Sequence, residues 1–175
     1  MPPFGPAGRP GANLALSDLE CEENAIQGVY NFIQVQPDLA TSGVVAKESF
    51  AALRADGYDV VINLLPGDSQ YAIMDEAEVV ATSGMDYVHI PVDFSAPAAA
   101  DYDHFVAAME AARGQKIWVH CAANWRVSSF VALYGERALG WTRNAADELV
   151  EKAWGEPDEV WRRFIADIRA RQGNV

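Results

Sequence analysis

The sequence predicts a single α/β domain: a mostly parallel central sheet of about 4–5 strands, flanked by helices on both faces. Three observations lead to it. Short β-branched runs alternate along the chain with segments whose apolar residues recur at helical spacing. One of these runs, residues 58–65, is apolar enough to be buried on both sides, as strands of a parallel sheet are. The 175 residues, 50% of them hydrophobic, can bury one good core but are few for two.

The elements follow in order. Residues 1–14 are rich in Pro and Gly and read as a surface arm outside the fold, which leaves residues 15–175 for the domain. Residues 30–35 and 39–42 alternate as short strands, joined through the turn-prone Gln36-Pro37-Asp38. A helix over 45–56 stops at Gly57, and the strand 58–65 that follows is closed by Pro66-Gly67. A helix over 71–83 leads to a strand over 87–92 and then to the loop Asp93-Phe94-Ser95-Ala96-Pro97. Residues 101–112 form a helix that stops at Gly114. The strand 117–120 runs straight into Cys121, and helical spacing resumes over 128–139, ending at Gly140. Two amphipathic helices, 144–154 and 157–171, complete the chain. Ligands of such sheets sit outside the carboxyl ends of the strands, where Asn63, Asp93 and Cys121 all fall.

Composition narrows the function classes. No run of about 18 apolar residues exists, and the amino terminus has Pro and Gly where a signal peptide has an apolar stretch, so a soluble, cytoplasmic protein is expected. The formal net charge of -12, with Lys and Arg scattered singly, argues against nucleic acid and membrane partners. A phosphate site here must therefore rely on groups within a few ångströms. The two cysteines, Cys21 and Cys121, lie too far apart for a metal-ligand spacing, and His89 and His104 have no ligand spacing to anything. Neither a metal nor a cofactor is implied, and no protein partner is indicated. Cys21 stands among Glu20, Glu22 and Glu23, which disfavour its thiolate, and is assigned no role.

The chemistry concentrates in Val119-His120-Cys121-Ala122-Ala123-Asn124-Trp125-Arg126-Val127-Ser128. A cysteine between a buried strand and the first turn of a helix lies among backbone N–H groups at the positive end of the helix dipole, which favours the thiolate. The same N–H groups bind an oxyanion. Arg126, five positions on, can hold two of its oxygens in bidentate fashion. Ala122, Ala123, Asn124, Trp125, Val127 and Ser128 would line the anion cradle. Asp93, opening a loop at a strand end, is the candidate general acid, ahead of Asp103 and of Asp101, which reads as a helix cap. Trp125 either lines the pocket mouth or packs on the next helix, and Asn124 either bonds across the loop or adopts the left-handed conformation.

His120-Cys121 to Arg126, followed by Ser128-Ser129-Phe130-Val131-Ala132-Leu133-Tyr134, resembles the signature of dual-specificity and tyrosine phosphatases. Ala40-Thr41-Ser42-Gly43, Val61-Ile62-Asn63-Leu64 and Ile90-Pro91-Val92-Asp93-Phe94 resemble, in order, a bacterial branch of phosphatase-like proteins, and the likeness spans residues 26–168. The resemblance implies a dual-specificity-phosphatase-like fold and a cysteinyl-phosphate mechanism. In it Cys121 is the nucleophile, Arg126 the oxyanion clamp and Asp93 the general acid. His120, Asn63 and Ser129 would be supporting residues, His120 by orienting the cysteine loop, and the ligand a phosphate-containing substrate or another oxyanion. The chain departs from the pattern inside the loop: four residues separate Cys121 from Arg126, where the family has five. Val127 replaces a hydroxyl residue, which Ser128 or Ser129 would supply from further on. Two alternatives follow from the shorter loop: a pseudophosphatase that binds an anion without turnover, and a rhodanese-like sulfurtransferase, whose loop has this length.

Overall fold

The computed structural model describes residues 26–173; the expected arm at 1–14 and Cys21 lie outside them. Among the described residues five strands form one sheet, β1 (Ile33–Gln36), β2 (Leu39–Ser42), β3 (Val60–Asn63), β4 (Asp86–His89) and β5 (Ile117–His120), in the spatial order β1-β2-β5-β3-β4. β1 and β2 pair antiparallel, and every other pairing is parallel. The expected hairpin entry and parallel centre are therefore present. β5 lies between β2 and β3, so its end, where Cys121 begins, opens at the middle of the sheet.

Among the described residues six helices cover the sheet: α1 (Phe50–Ala55), α2 (Glu76–Thr82), α3 (Ala99–Ala111), α4 (Trp125–Ala138), α5 (Arg143–Trp154) and α6 (Glu159–Gly173). Successive strand side chains point to opposite faces, and this period of two sorts the core into halves. Ile117, Val119 and Cys121 join Val60, Ile62 and Leu64 in the larger core beneath α3, α4, α5 and α6. Trp118 and Val61 face the smaller core with Phe50, Leu53 and Val80 from α1 and α2. All four residues of β3 and of β5 are buried, as a doubly covered parallel strand requires.

Several boundaries differ from expectation. The helix expected over 45–56 is a 3₁₀ turn, Lys47–Ser49, followed by α1. The helix expected from 71 begins at Glu76, because residues 66–75 fold into turns and Asp75 sits at the N-cap. α4 starts at Trp125 and not at 128: periodicity senses only buried side chains, whereas the backbone turns helical directly after the loop. Asp101 caps α3 from within its first turn, its carboxylate accepting the N–H of Ala98 at 3.3 Å. α4 is buried continuously from Val127 to Gly135, and it lies between the sheet and the outer helices α5 and α6. The element that follows the cysteine loop is thus the most enclosed helix of the fold.

Candidate active site

The Cys121 loop is fastened at its outer side. Val44 N–H bonds the carbonyl of Ala122 at 3.0 Å, and Cys121 N–H bonds that of Ser42 at 3.3 Å. Asn31 Nδ2 donates to the carbonyl of Ala123 at 2.9 Å, and Asn124 Nδ2 returns a bond to the carbonyl of Asn31 at 2.9 Å and reaches Thr41 Oγ1 at 3.0 Å. In a trans peptide the C=O and the following N–H point opposite ways. With the Ala122 carbonyl turned out to Val44, the N–H of Ala123 faces the concave side of the loop. Trp125, Arg126 and Val127 open α4, so their N–H groups have no acceptor in the helix. Among the described residues none of these four amides has a backbone acceptor. A short segment thus offers several donors to an anion at the positive end of a 14-residue helix.

Asn124 does both things expected of it. It is left-handed, φ 68°, and it bonds across the loop. Asn31, φ 49°, is the other non-glycine among the described residues in that region of backbone space, so two asparagines in rarely used conformations face each other. Asn31 also donates to the carbonyl of Ala153 at 2.6 Å, joining the loop to the end of α5. Gly43 completes the fastening: a Cβ there would stand 2.5 Å from Tyr30 Cδ1 and 2.6 Å from the carbonyl oxygen of Ala122. Gly43→Ala is therefore expected to push on the loop backbone, lowering stability by about 1–3 kcal/mol, with a larger fractional loss of anion affinity than of helix content. Thermal melts and phosphate titrations would check it.

Cys121 is fully buried. Arg126 Nε donates to the carbonyl of Val92 at 2.8 Å, and the guanidinium lies over the ring of Phe94, 5.1 Å from its centroid. This leaves the two terminal Nη groups as the fork for an anion. The same contact brings the Asp93 loop against the cysteine loop, because Asp93 follows Val92 directly. Asp93 is exposed, and its Oδ1 accepts Ser95 N–H at 2.8 Å, which holds the carboxylate at the loop's start. Asp103 stands elsewhere. It forms an exposed fork with Arg171, whose hydrogen bond holds its carboxyl below the usual carboxylate range, so it has no proton to give at neutral pH.

Trp125 packs instead of standing free. Its ring is stacked on Trp154 of α5 at 4.9 Å with 1° between planes, and Phe94 lies 5.9 Å away. Trp161, fully buried, fixes the Phe94 backbone through an Nε1–H bond to its carbonyl at 2.9 Å. An aromatic wall therefore borders Arg126. The hydroxyls of Ser128 and Ser129 both donate to the carbonyl of Trp125, at 3.1 and 3.0 Å, so neither takes the place of the family's hydroxyl next to the arginine. Both are buried with Val127 inside α4.

His120 and Asn63 face the α1/α2 side and meet there on a residue that sequence reasoning missed. Glu76, only 3% exposed although carboxylates are seldom buried, accepts from His120 Nε2 and, at 3.1 Å, from Asn63 Nδ2. Asn63 also bonds Tyr87 Oη at 3.1 Å and receives Leu65 N–H at 2.8 Å. The available signal was Glu76's place four residues before Val80, which puts it on the inward face of α2. Asn31 was beyond reach, since Ala123 and Ala153 lie 92 and 122 positions away, and for Thr41 and Gly43 nothing local shows that one accepts from Asn124 or that the other lies against the Ala122 carbonyl. His89 serves the fold, its Nε2 bonding the carbonyl of Leu65 at 2.6 Å. Among the described residues no three of the His, Cys, Asp and Glu side chains group as metal ligands would, and no helix is long and apolar enough to cross a membrane.

Comparison with known proteins places this geometry. Residues 31–137 match the family described as beta-lactamase hydrolase-like protein, phosphatase-like domain. A DUF442 protein from Shewanella putrefaciens CN-32 is 34% identical, with 85% of this chain and 97% of that one aligned and a TM-score of 0.77. More distant chains share the fold. A variant of P. aeruginosa TpbA in complex with pTyr is 17% identical over 83% of this chain and 91% of that one, with a TM-score of 0.62. The core catalytic domain of the PP-IP phosphatase SIW14 from S. cerevisiae, in complex with citrate, is 15% identical over 83% and 93%, with a TM-score of 0.63. No curated protein matches the chain. The expected phosphatase-like family and fold hold, and the chain belongs to the phosphatase-like domain family of the beta-lactamase hydrolase-like proteins.

Proposed function

We propose that this chain is a cysteine-dependent phosphatase that hydrolyses a phosphomonoester through a cysteinyl-phosphate. The observation that carries the reading is the row of amides without acceptors that runs from Ala123 into the first turn of α4, between Cys121 and the free fork of Arg126. The Cys121 thiolate attacks phosphorus while the bond from phosphorus to the leaving oxygen breaks, and Asp93 gives that oxygen its proton. The loop amides and the Nη groups hold the equatorial oxygens as charge spreads over them. Water then attacks phosphorus from the other side, passes its proton to Asp93, and the S–P bond breaks to release phosphate and thiolate. The pTyr held by the TpbA variant and the citrate held by the SIW14 domain are both anions, which agrees with an oxyanion site here.

The test is chemical capture. Acid quench during turnover of an aryl phosphate should show one added phosphoryl group on the peptide that carries Cys121, together with a burst of phenol. Turnover without that adduct would exclude the mechanism.

Two observations favour a second reading, an anion-binding protein without turnover: Cys121 is fully buried, and the loop is one residue tighter than the phosphatase signature. That reading expects phosphate to bind, seen by calorimetry, with neither adduct nor product.

A further inference from the structure

The loop that carries Asp93 is largely exposed; of residues 93–97 only Phe94 and Pro97 are half-buried. The bonds that Asp93 accepts, from Ser95 N–H at its Oδ1 and from Ala96 N–H at its carbonyl, stay inside the loop and do not fix it to the body. Among the described residues one hydrogen bond joins residues 93–97 to another element: Trp161 Nε1–H of α6 donates to the carbonyl of Phe94 at 2.9 Å. On the other side of Asp93, the carbonyl of Val92 accepts from Arg126. Asp93 therefore stands between two peptide groups, each held from a helix. The Phe94 ring adds to the hold. It lies among tryptophans of three helices, Trp125 of α4, Trp154 of α5 and Trp161 of α6, at 5.9, 5.6 and 5.7 Å between centroids. Trp161 is a firm post: it is fully buried, and Asp158 Oδ1 accepts its backbone N–H at 3.0 Å at the start of α6.

We infer that Trp161 is a positioning residue for proton transfer, acting through Phe94 to place the Asp93 carboxyl over the Cys121 loop. This rests on the reading of Asp93 as the general acid. In that step the S–P bond forms, the bond from phosphorus to the leaving oxygen breaks, and the proton of the Asp93 carboxyl goes to that oxygen. A proton donor acts only within hydrogen-bond reach, and a misplacement of about 1 Å can cost up to about 10²-fold in rate. With Val92 and Phe94 both held, Asp93 keeps little freedom beyond its own side-chain torsions. Without the indole N–H, the Phe94 carbonyl has no donor and the loop has only its ring contacts. The consequence depends on the leaving group, because a stable phenolate departs without a proton and a basic one does not.

The experiment measures kcat/KM in the full chain for phenyl phosphate, whose leaving oxygen needs a proton, and for dinitrophenyl phosphate, whose leaving oxygen does not. The readout is the ratio of the two values, which a general loss of active protein leaves unmoved. Trp161→Phe, which keeps a ring and loses the N–H donor, should lower the ratio of phenyl to dinitrophenyl about tenfold. Asp93→Asn should lower it further, and Trp161→Phe added to Asp93→Asn should change it no more. A Trp161→Phe ratio equal to the parent's, or a double variant in which the two drops multiply, overturns the inference and leaves Asp93 as the acid. An Asp93→Asn ratio equal to the parent's instead sinks the reading of Asp93, and this inference with it. A parent that hydrolyses neither ester sinks the phosphatase reading and, again, this inference. Should Trp161→Phe not fold, Phe94→Leu, which removes the ring packed on Trp161, decides in its place: a lowered ratio is expected, and an unchanged one overturns the inference.

Discussion

Cys121→Ser is expected to lower aryl-phosphate hydrolysis by about 10³-fold or more, because the hydroxyl that replaces the thiol is almost wholly un-ionised at neutral pH and no base lies beside it to take its proton. The loop should survive the change. Its shape is held by Asn31, Asn124, Val44 and Ser42, none of which bonds the cysteine side chain. The site of substitution is fully buried in the larger core, so exchanging the thiol for a more polar hydroxyl costs about 1–2 kcal/mol of stability. Phosphate affinity, measured by calorimetry, should stay within a few-fold of the parent's, since the donors are backbone N–H groups and Arg126. Activity retained in full would show that the sulfur is a core residue and that the chemistry lies elsewhere.

Arg126→Lys should be nearly as damaging to catalysis and gentler on the fold. The guanidinium performs three tasks at once: Nε holds the Val92 carbonyl, its face lies on Phe94, and the two Nη groups remain for the anion. A lysine ammonium has no planar fork, so it cannot anchor on Val92 and still present two parallel donors. The expected loss is about 10²–10³-fold in kcat, the size seen when one preorganised oxyanion donor is removed. Anion affinity should fall by about tenfold, as a bidentate contact becomes a point charge. The Asp93 loop loses its tie at Val92 as well, so the proton donor should be less well placed. A lysine variant with parent kcat would mean that the loop amides alone carry the transferring oxygens.

How much of this was legible beforehand depends on the distance along the chain over which each feature is encoded. Strand, cysteine, arginine and helix lie within a short stretch of chain, and their order alone locates the candidate site at the end of β5. The same holds for the β-branched runs that became β3 and β5, buried on both faces as their composition requires. The start of α4 differs because the helical spacing is legible only from 128, whereas the helix begins where left-handed Asn124 turns the chain. Trp125 was ambiguous for a related reason: its stacking partner, Trp154, belongs to a helix whose approach no local pattern announces. Neither serine hydroxyl could be placed from sequence, since the choice between the loop and the Trp125 carbonyl is made by the pitch of α4.

By itself, then, the sequence determined the α/β class, the parallel centre, the nucleophile and clamp candidates, and the scattering of its basic residues, all of which follow from local spacing and composition. Only the tertiary structure decided what surrounds them. It set Asn31 and Thr41 against Asn124, seated Glu76 under His120, and laid Arg126 on Val92 and Phe94. The physical reason is that hydrogen bonds between residues far apart in the chain cost loop entropy before they return anything, and they form only where the sheet has already brought their backbones together. A parallel sheet gathers its strand ends from distant stretches of chain, so the partners of Cys121 had to be found in space.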